Sequence, residues 1–273
     1  METKLIALDL DHTTLREDRS LSPANAAALA RAAEKGVHVV VASGRAFRTI
    51  SPEVLAIPGV RYVISGNGAA QWDSREDRCL ESYVLPEDQV ETIVRALDGI
   101  LFEVMVDGVP YAPDYYVADP VAYGGNPRSK AFVQATRHPV PDIAAFALAN
   151  RRRISWIQSY PGPGPRKDAL WARLERETAG VRITSALPKL LEFYSPHCSK
   201  RSGLEFFCTY LGVDPRDTVT FGDGDNDREM MAFSGRSVAV GNAIDALKES
   251  ATFVTRNSWD DGVAYALEHY LNI

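Results

Sequence analysis

The chain has 273 residues, 45% of them hydrophobic and 24% charged, which predicts a globular protein of about two domains. This much apolar material excludes a disordered chain and a miniprotein held together by disulfides. The net charge of −6 argues against broad binding to nucleic acid or to anionic membranes. We expect neither a membrane span nor a signal peptide, and three scattered cysteines favour reduced thiols in a cytoplasmic protein.

The first 65 residues alternate between apolar runs and helical patterns. Ser22 followed by Pro23 is a typical helix start, and Gly36 ends that helix. Strands and helices in this order form right-handed βαβ units, which predicts a parallel sheet covered on both faces. The expected strands lie at 4–10, 37–42 and 61–65, and the expected helices at 23–35 and from 44 to about 55.

The pattern changes after residue 68. Two apolar runs at 69–72 and 79–84 flank a polar turn and predict a hairpin. The stretch 112–128, rich in proline, tyrosine and glycine, gives no assignable pattern. Helices are expected near 86–97, 141–150 and 166–178, and strands near 102–106, 109–111, 153–160, 181–184 and 190–194.

The parallel pattern resumes at Lys200. We therefore predict an α/β protein whose core, at 1–84 and 189–273, is a doubly wound, Rossmann-like parallel sheet. An inserted α/β domain is expected at 85–188, and both parts have an ordinary domain size. The expected elements are helices at 200–211, 227–233, 245–250 and 260–271, and strands at 218–222, 237–240 and 253–255.

Two acids follow the first predicted strand, in the sequence Asp9-Leu10-Asp11. Ligands of open parallel sheets bind beyond the carboxyl ends of the strands, so both carboxylates can face that crevice. Carboxylates this close repel each other unless a proton or a cation neutralises them. Taken alone, the pair is also compatible with two solvated acids of a turn.

A second acidic cluster follows the strand predicted at 218–222. Asp223, Asp225 and Asp227 lie on a glycine-rich loop before a helix, so up to five acids converge if the two strand ends meet. An oxygen-rich site of this kind suits Mg²⁺. The five histidines include no ligand-spaced pair for zinc, and the loop lacks the twelve-residue pattern ending in Glu that calcium loops have.

Two further positions supply groups that can bind an anion. Ser43 and Gly44 end the second strand and open the expected helix, whose N-terminal amides favour a phosphate oxygen. Lys200 begins another helix, where a cation does not suit the dipole and therefore indicates an anion nearby. Simple capping by Ser43 and a solvated Lys200 are the alternatives. Together these groups suit attack of a carboxylate on phosphorus, with a second carboxyl group moving the proton.

The motifs together resemble the haloacid dehalogenase (HAD) superfamily of Mg²⁺-dependent phosphatases, in particular the Cof-type subgroup with a large α/β (C2-type) cap. They occur in the order typical of that family, with the insert before the lysine. The resemblance covers the outer domain well, and the cap by its length and position. The matching stretches are Leu8–Thr13, Ala42–Arg45, Ser65–Ala69, Lys200 and Gly222–Asp227.

The resemblance implies a role for each acid. Asp9 would be the nucleophile, and Asp11 the general acid and base. Mg²⁺ would be held by Asp9, by the backbone carbonyl of Asp11 and by Asp223, with Asp227 as a ligand or close behind one. His12 stands where the family usually has glycine, which predicts a crowded loop after the nucleophile.

On the substrate side, the resemblance implies that Ser43 hydrogen-bonds the transferring phosphoryl group and that Lys200 neutralises it. Arg45 and Asn67 are expected to contact the substrate, although a surface arginine and a turn asparagine are the alternatives. Asn226 is expected to brace its loop. The complete set of substrate-binding candidates is Ser43, Gly44, Arg45, Asn67, Lys200 and Asn226.

The implied function is a Mg²⁺-dependent phosphatase that hydrolyses a small phosphorylated metabolite, such as a sugar phosphate, through an aspartyl-phosphate. A phosphomutase of the same superfamily and a non-catalytic receiver-like module that stores a phospho-aspartate are the alternatives. A small-molecule substrate, without nucleic acid or membrane, is the expected partner. The insert is expected to act as a lid, and Tyr115, Tyr116 and Tyr123 are candidates to line it.

Overall fold

A computed structural model of the protein describes residues 2–185 and 188–273. Met1 and residues 186–187, two positions of the predicted insert, lie outside the described residues. The chain divides into two compact units. The first comprises the residues up to Arg45, Ile50–Glu81 and Ser199–Ile273, and the second comprises Ala46–Thr49 and Ser82–Cys198. Among the described residues, no helix has the length and apolar character that a membrane crossing requires.

The secondary structure alternates along most of the chain. The strands are β1 (Leu5–Leu8), β2 (His38–Ala42), β3 (Val60–Ser65), β4 (Ala70–Asp73), β5 (Arg78–Ser82), β6 (Phe102–Val106), β7 (Val109–Pro113), β8 (His138–Val140), β9 (Ile154–Ser159), β10 (Arg182–Thr184), β11 (Leu191–Tyr194), β12 (Thr218–Gly222), β13 (Arg236–Ala239) and β14 (Phe253–Val254). The α-helices are α1 (Pro23–Glu34), α2 (Pro52–Leu55), α3 (Glu87–Ala96), α4 (Asp114–Ala118), α5 (Lys130–Thr136), α6 (Ile143–Ala149), α7 (Pro165–Glu177), α8 (Lys200–Leu211), α9 (Arg228–Phe233), α10 (Asp245–Ser250) and α11 (Gly262–His269).

The first unit contains a sheet with the strand order β14-β13-β12-β1-β2-β3-β4-β5. Its strands from β14 to β3 are parallel, and β4 runs antiparallel to β3. The chain leaves β1 toward β2 on one side and returns at β12 on the other, so the strand order reverses between β1 and β12. Ligands of doubly wound sheets bind at this switch point. The predicted fold class is confirmed.

Burial on both faces explains the near-continuous apolar strands of this sheet. All four residues of β1 are buried, and Leu5 and Ala7 belong to a cluster with Leu204 and Phe207 of α8. Burying each large apolar side chain stabilises the fold by about 1.5–3 kcal/mol. Because helices cover the faces of the sheet, its polar chemistry is confined to the strand ends.

The second unit contains a mixed sheet with the order β10-β11-β9-β6-β7-β8. Phe102 and Val104 of β6 pack in a core that includes Val90 of α3 and Leu174 of α7. Strand β11 pairs with β9 in this sheet, although β11 comes after residue 188, where the predicted insert ends. The limits of the insert, 85 and 188, stay a prediction.

The helix predicted from Gly44 to about Leu55 is wrong. The chain forms only a short turn at Phe47–Thr49 and then α2, which begins at Pro52. A residue before proline is driven out of the helical region, and Ser51 is indeed extended, with φ −65° and ψ 141°. Gly44 therefore opens no helix, and the phosphate-binding dipole expected there is absent from this described segment.

The unassigned stretch and its continuation hold two α-helices and one strand that the sequence pattern did not predict: α4, α5 and β8. Helices α4 and α5 are short, and they share a small cluster in which Tyr116 and Val133 are buried. Strand β8 contains Pro139, which a sheet accepts here because β8 lies at its edge. Helices this short bury too few periodic residues to give a readable pattern.

An ion pair at the antiparallel end of the first sheet gives a stability prediction. The guanidinium of Arg61 donates to the buried carboxylate of Asp73 at 2.6 and 2.9 Å, and these hydrogen bonds hold the pKa of Asp73 below its ordinary value. A carboxyl group of this kind stabilises the fold above its unfolded pKa of about 3.9. That contribution is lost as the pH falls through the lower folded pKa.

We expect Asp73→Asn to lower the free energy of unfolding by about 1–2 kcal/mol at pH 7 and by less at pH 3, measured by urea unfolding. The matched control is Asp107→Asn, which removes an exposed ion pair with Arg153 and should cost much less, because solvent screens that pair. Equal losses from Asp73→Asn at both pH values would contradict this interpretation.

Candidate active site

The loop that carries the first two acids begins where β1 ends. The amide of Asp9 donates to the carbonyl of Phe221 on β12 at 3.1 Å, so both strand ends hold this position. Residues Leu10–Thr14 form one wide turn, closed by a hydrogen bond from the amide of Leu15 to the carbonyl of Leu10 at 2.8 Å. Within it Asp11 is extended and His12 is left-handed, with φ 61°. The hydroxyl of Thr14 donates to the carbonyl of Asp9 at 2.6 Å and closes the turn. Glycine adopts this conformation most readily, so a histidine at this position is held there by the surrounding contacts.

The second acidic loop folds back on itself after β12. Both Asp223 and Gly224 donate their amides to Oδ2 of Asp227 at 3.0 Å. A side chain at Gly222 would place its Cβ 2.5 Å from the Cβ of Asp227, so glycine is required for this close approach. The loop thereby turns the carboxylate of Asp227 back toward the end of β12.

The two loops bring three carboxylates together. Ligand oxygens of Asp9, Asp223 and Asp227 lie within 4.8 Å of one another. The Nζ atom of Lys200 lies 2.5 Å from Oδ1 of Asp9 and 2.7 Å from Oδ1 of Asp227. The side chains of Lys200 and Asp227 are fully buried, and that of Asp9 is 8% exposed. Residues more than 200 positions apart therefore form one cluster.

Lys200 reaches this cluster from the first position of α8. The hydroxyl of Ser199 accepts a hydrogen bond from the amide of Ser202, and the hydroxyl of Ser202 accepts one from the amide of Ser199. This capping box fixes the start of α8. The carboxylates of Asp9 and Asp227 balance the charge that the dipole disfavours there.

Burial and crowding dominate the electrostatics of the cluster. Burial raises the pKa of Asp9 well above its ordinary value, and the charge of Lys200 offsets only part of that effect. Burial also raises the pKa of Asp223, with the neighbouring Asp227 acting in the same direction. Burial lowers the pKa of Lys200, but the charges of Asp227 and Asp9 outweigh it and raise that pKa above its ordinary value. The lysine therefore stays protonated, and the acids need further positive charge to ionise together.

The carboxylate of Asp11 has a different partner from the three clustered carboxylates. Its carboxylate accepts two hydrogen bonds from the guanidinium of Arg45, at 2.6 and 2.8 Å. Burial raises the pKa of Asp11, but the hydrogen bonds and the charge of Arg45 outweigh it and lower that pKa. The contact of Arg45 with a substrate stays a prediction, since here its guanidinium binds Asp11.

Three predicted substrate-binding residues lie close together. Asn226 donates from Nδ2 to Oδ1 of Asn67 at 3.1 Å, and a Cβ at Gly44 would lie 3.3 Å from the Asn67 amide group. Asn67 itself is left-handed, with φ 53°.

The hydroxyl of Ser43 is buried in the loop after β2. It accepts a hydrogen bond from the amide of Arg45 at 3.1 Å, and this bond forms a turn within the loop. The substrate contacts of these residues stay predictions.

Sequence reasoning missed two threonines beside the acids. Thr13 donates from its hydroxyl to Oδ1 of Asp223 at 3.0 Å, and Thr14 holds the carbonyl of Asp9. Both threonines are fully buried. Two consecutive threonines, the second and third residues after Asp11, are the signal that could have identified them, because a polar side chain needs a partner when it is buried.

A model of the haloacid dehalogenase-like hydrolase family matches residues 6–267. The chain belongs to this family. Among its relatives in this family is the 5-amino-6-(5-phospho-D-ribitylamino)uracil phosphatase YitU of Bacillus subtilis. It is 28% identical over an alignment of 282 positions that covers all of both chains. The pyridoxal phosphate phosphatase YbhA of Escherichia coli is 28% identical, over 99% of this chain and all of the relative.

A solved structure has the same fold. The haloacid dehalogenase-like hydrolase from Bacteroides thetaiotaomicron superposes with a TM-score of 0.84 at 24% identity, covering 98% of this chain and all of the other. The predicted recognition of a HAD-type phosphatase, and therefore of an enzyme, is confirmed. The roles of the individual site residues stay predictions.

Proposed function

We propose that this chain is a Mg²⁺-dependent phosphatase that hydrolyses a phosphate monoester of a small metabolite, with Asp9 as the nucleophile. One observation carries the proposal. Asp9 lies at the switch point of the sheet, within 4.8 Å of two other carboxylates and in contact with a buried lysine. A carboxylate can attack a phosphoryl dianion only where positive charge screens both partners.

The donor set fits a hard divalent cation. The grouped side chains of Asp9, Asp223 and Asp227 offer oxygen atoms, the ligands that Mg²⁺ prefers. The raised pKa values of Asp9 and Asp223 indicate that positive charge is lacking when the lysine acts alone. Asp9 and Asp223 would hold the ion, with the Asp11 carbonyl and Asp227 completing or supporting the site. Bound Mg²⁺ would supply charge neutralisation of the carboxylates and of the phosphoryl oxygens.

The side chains then divide the work. Oδ of Asp9 attacks phosphorus, the bond from phosphorus to the ester oxygen breaks, and Asp11 donates a proton to the leaving alkoxide. Asp11 next takes a proton from a water molecule, whose oxygen attacks the phosphorus of the aspartyl-phosphate. This second step breaks the acyl phosphate bond, releases inorganic phosphate and restores Asp9. Lys200 holds the Asp9 carboxylate in place and balances its charge throughout.

Proton donation by Asp11 sets a condition on Arg45. A carboxylate bound by a guanidinium at 2.6 and 2.8 Å holds a proton weakly, because the arginine stabilises its ionised form. The ion pair must therefore open before Asp11 can donate a proton. A phosphoryl group of the substrate is a competing acceptor for Arg45, since guanidinium binds phosphate oxygens in the same bidentate manner.

The names of the relatives support a small phosphorylated substrate. YitU is named for a phosphoribityl-aminouracil and YbhA for pyridoxal phosphate, which share a phosphate on a primary alcohol of a small molecule. We therefore propose this substrate class for the chain. The insert predicted at 85–188 is proposed as the cap domain that selects the leaving group.

Phosphate release from a panel of phosphorylated metabolites, with Mg²⁺ and with EDTA, tests the proposal. We expect release with Mg²⁺ and none with EDTA. Phosphorus NMR of the products separates hydrolysis from a mutase reaction, because a mutase leaves the total organic phosphate unchanged. Equal rates with EDTA and with Mg²⁺ would remove the metal from the mechanism.

The metal assignment gives a more specific prediction for Asp223. We expect Asp223→Asn to raise the Mg²⁺ concentration for half-maximal activity by at least about tenfold, since one charged ligand becomes neutral. The matched control is Asp225→Asn in the same loop, where the carboxylate is 80% exposed and pairs with Arg228 at the surface. An unchanged Mg²⁺ requirement in Asp223→Asn would exclude this carboxylate as a ligand.

A further inference from the structure

Two asparagines attach the loop at residues 9–14, called here the nucleophile loop, to the C-terminal segment at residues 258–264. Asn242 is the first of them. Its Nδ2 donates to the carbonyl of His12 at 2.8 Å, and its Oδ1 accepts from the amide of Ser258 at 2.8 Å. One amide group therefore joins a backbone carbonyl of the nucleophile loop to a backbone amide of the C-terminal segment.

Asn25, on α1, forms the second bridge with the same chemistry. Its Nδ2 donates to the carbonyl of Thr14 at 3.1 Å, and its Oδ1 accepts from the amide of Ala264 at 3.0 Å. Asn25 is fully buried, and both ends of its amide are used. An asparagine amide carries a donor and an acceptor at once, so an ionised carboxylate, which only accepts, or a hydrocarbon cannot reproduce either bridge.

The nucleophile loop needs such support because its backbone is strained. His12 has φ 61° and ψ 6°, a left-handed conformation that residues with a side chain rarely adopt. A conformation of this kind persists only where surrounding contacts determine it. Asn242 binds the carbonyl of His12 itself, and Asn25 binds the carbonyl of Thr14 two residues later, so the two bridges fix the strained position and the end of the loop.

We propose that Asn25 and Asn242 are positioning residues that hold the nucleophile loop in its reactive geometry. Asp9 and Asp11 lie on this loop, and Thr14, whose carbonyl Asn25 binds, donates its hydroxyl to the carbonyl of Asp9. Loosening either bridge lets the carboxylates shift, and a misplacement of about 1 Å costs roughly 100-fold in rate. The expected loss of rate rests on the proposed function. The expected loosening of the nucleophile loop does not depend on it.

The test uses Asn242, which is only half-buried, because a charge at the fully buried Asn25 threatens folding. Asn242→Asp keeps an acceptor for the amide of Ser258 but loses the donor to His12, so it isolates the bond to the nucleophile loop. We expect kcat to fall at least about tenfold with KM changed less than twofold. We also expect faster amide hydrogen exchange in a peptide spanning residues 9–16, measured by mass spectrometry without substrate.

The matched control is Asn257→Ala. Asn257, directly before the C-terminal segment, donates from Nδ2 to Asp260 within it, so we expect its removal to leave kcat and the exchange of the 9–16 peptide unchanged. If wild-type enzyme releases no phosphate from any substrate, the proposed function fails. The exchange measurement still tests whether Asn242 holds the nucleophile loop. Asn242→Asp with wild-type exchange in the 9–16 peptide and wild-type kcat overturns the inference. Equal changes in Asn257→Ala also overturn it, because they would show a general loss of stability.

Discussion

Asp9→Asn is expected to abolish phosphate release, with a loss of about 10⁴-fold or more in kcat. The amide is a poor nucleophile toward phosphorus, and no aspartyl-phosphate can form at this position. The melting temperature in EDTA is expected to stay at or above that of the wild type. A carboxyl group whose pKa is raised on folding destabilises the fold at pH values above its unfolded pKa, and the neutral amide removes that effect.

Loss of activity without loss of stability separates a catalytic role from a structural one. Asp225→Asn is the control, because this exposed acid lies in the neighbouring loop and contacts Arg228 at 3.4 Å. It should retain both activity and melting temperature. Calorimetric melting and phosphate release on the same preparations provide the comparison. Phosphate release by Asp9→Asn within tenfold of the wild type would exclude Asp9 as the nucleophile.

The gathering of the acids follows from sequence because the first acid of each loop directly follows a strand. Asp9 comes after β1 and Asp223 after β12, and parallel strands place their carboxyl ends at one edge. A run of apolar residues is a local pattern, so the strands are readable without knowing their partners. The pairing of β1 with β12 then depends only on the doubly wound connection.

Other features depend on contacts between distant residues and have no local pattern. Arg45 is the last residue of the Ala42–Arg45 motif and was expected to contact the substrate, but its guanidinium binds Asp11 across 34 positions. The polar Asn25 lies in α1, where the sequence gives no sign that its amide is buried against the nucleophile loop.

The wrong helix prediction before α2 is a different case, because a local signal was present. Proline restricts the residue before it, so Pro52 should have ended the expected helix.

Lys200→Met is expected to lower the free energy of unfolding in EDTA by about 3–5 kcal/mol. The substitution keeps the volume of the side chain but removes the cation that lies between the carboxylates of Asp9 and Asp227. The two buried acids then lose their counter-charge and must take up a proton or leave a carboxylate unpaired, which costs more than the lost hydrogen bonds alone. We expect phosphate release to fall as well, because Asp9 then binds a proton more readily and its carboxylate is no longer held.

A double variant separates charge from packing. Asp227→Asn removes one of the two facing carboxylates, so adding it to Lys200→Met should recover part of the lost stability but not the activity. Lys248→Met is the matched control, since that lysine pairs with the exposed Asp245 and its loss should cost under about 1 kcal/mol. Urea unfolding of the four proteins in EDTA measures the differences. If Lys200→Met lowers the free energy of unfolding no more than Lys248→Met does, the buried lysine does not stabilise this cluster. Its proposed role in balancing the charge of Asp9 would then be wrong.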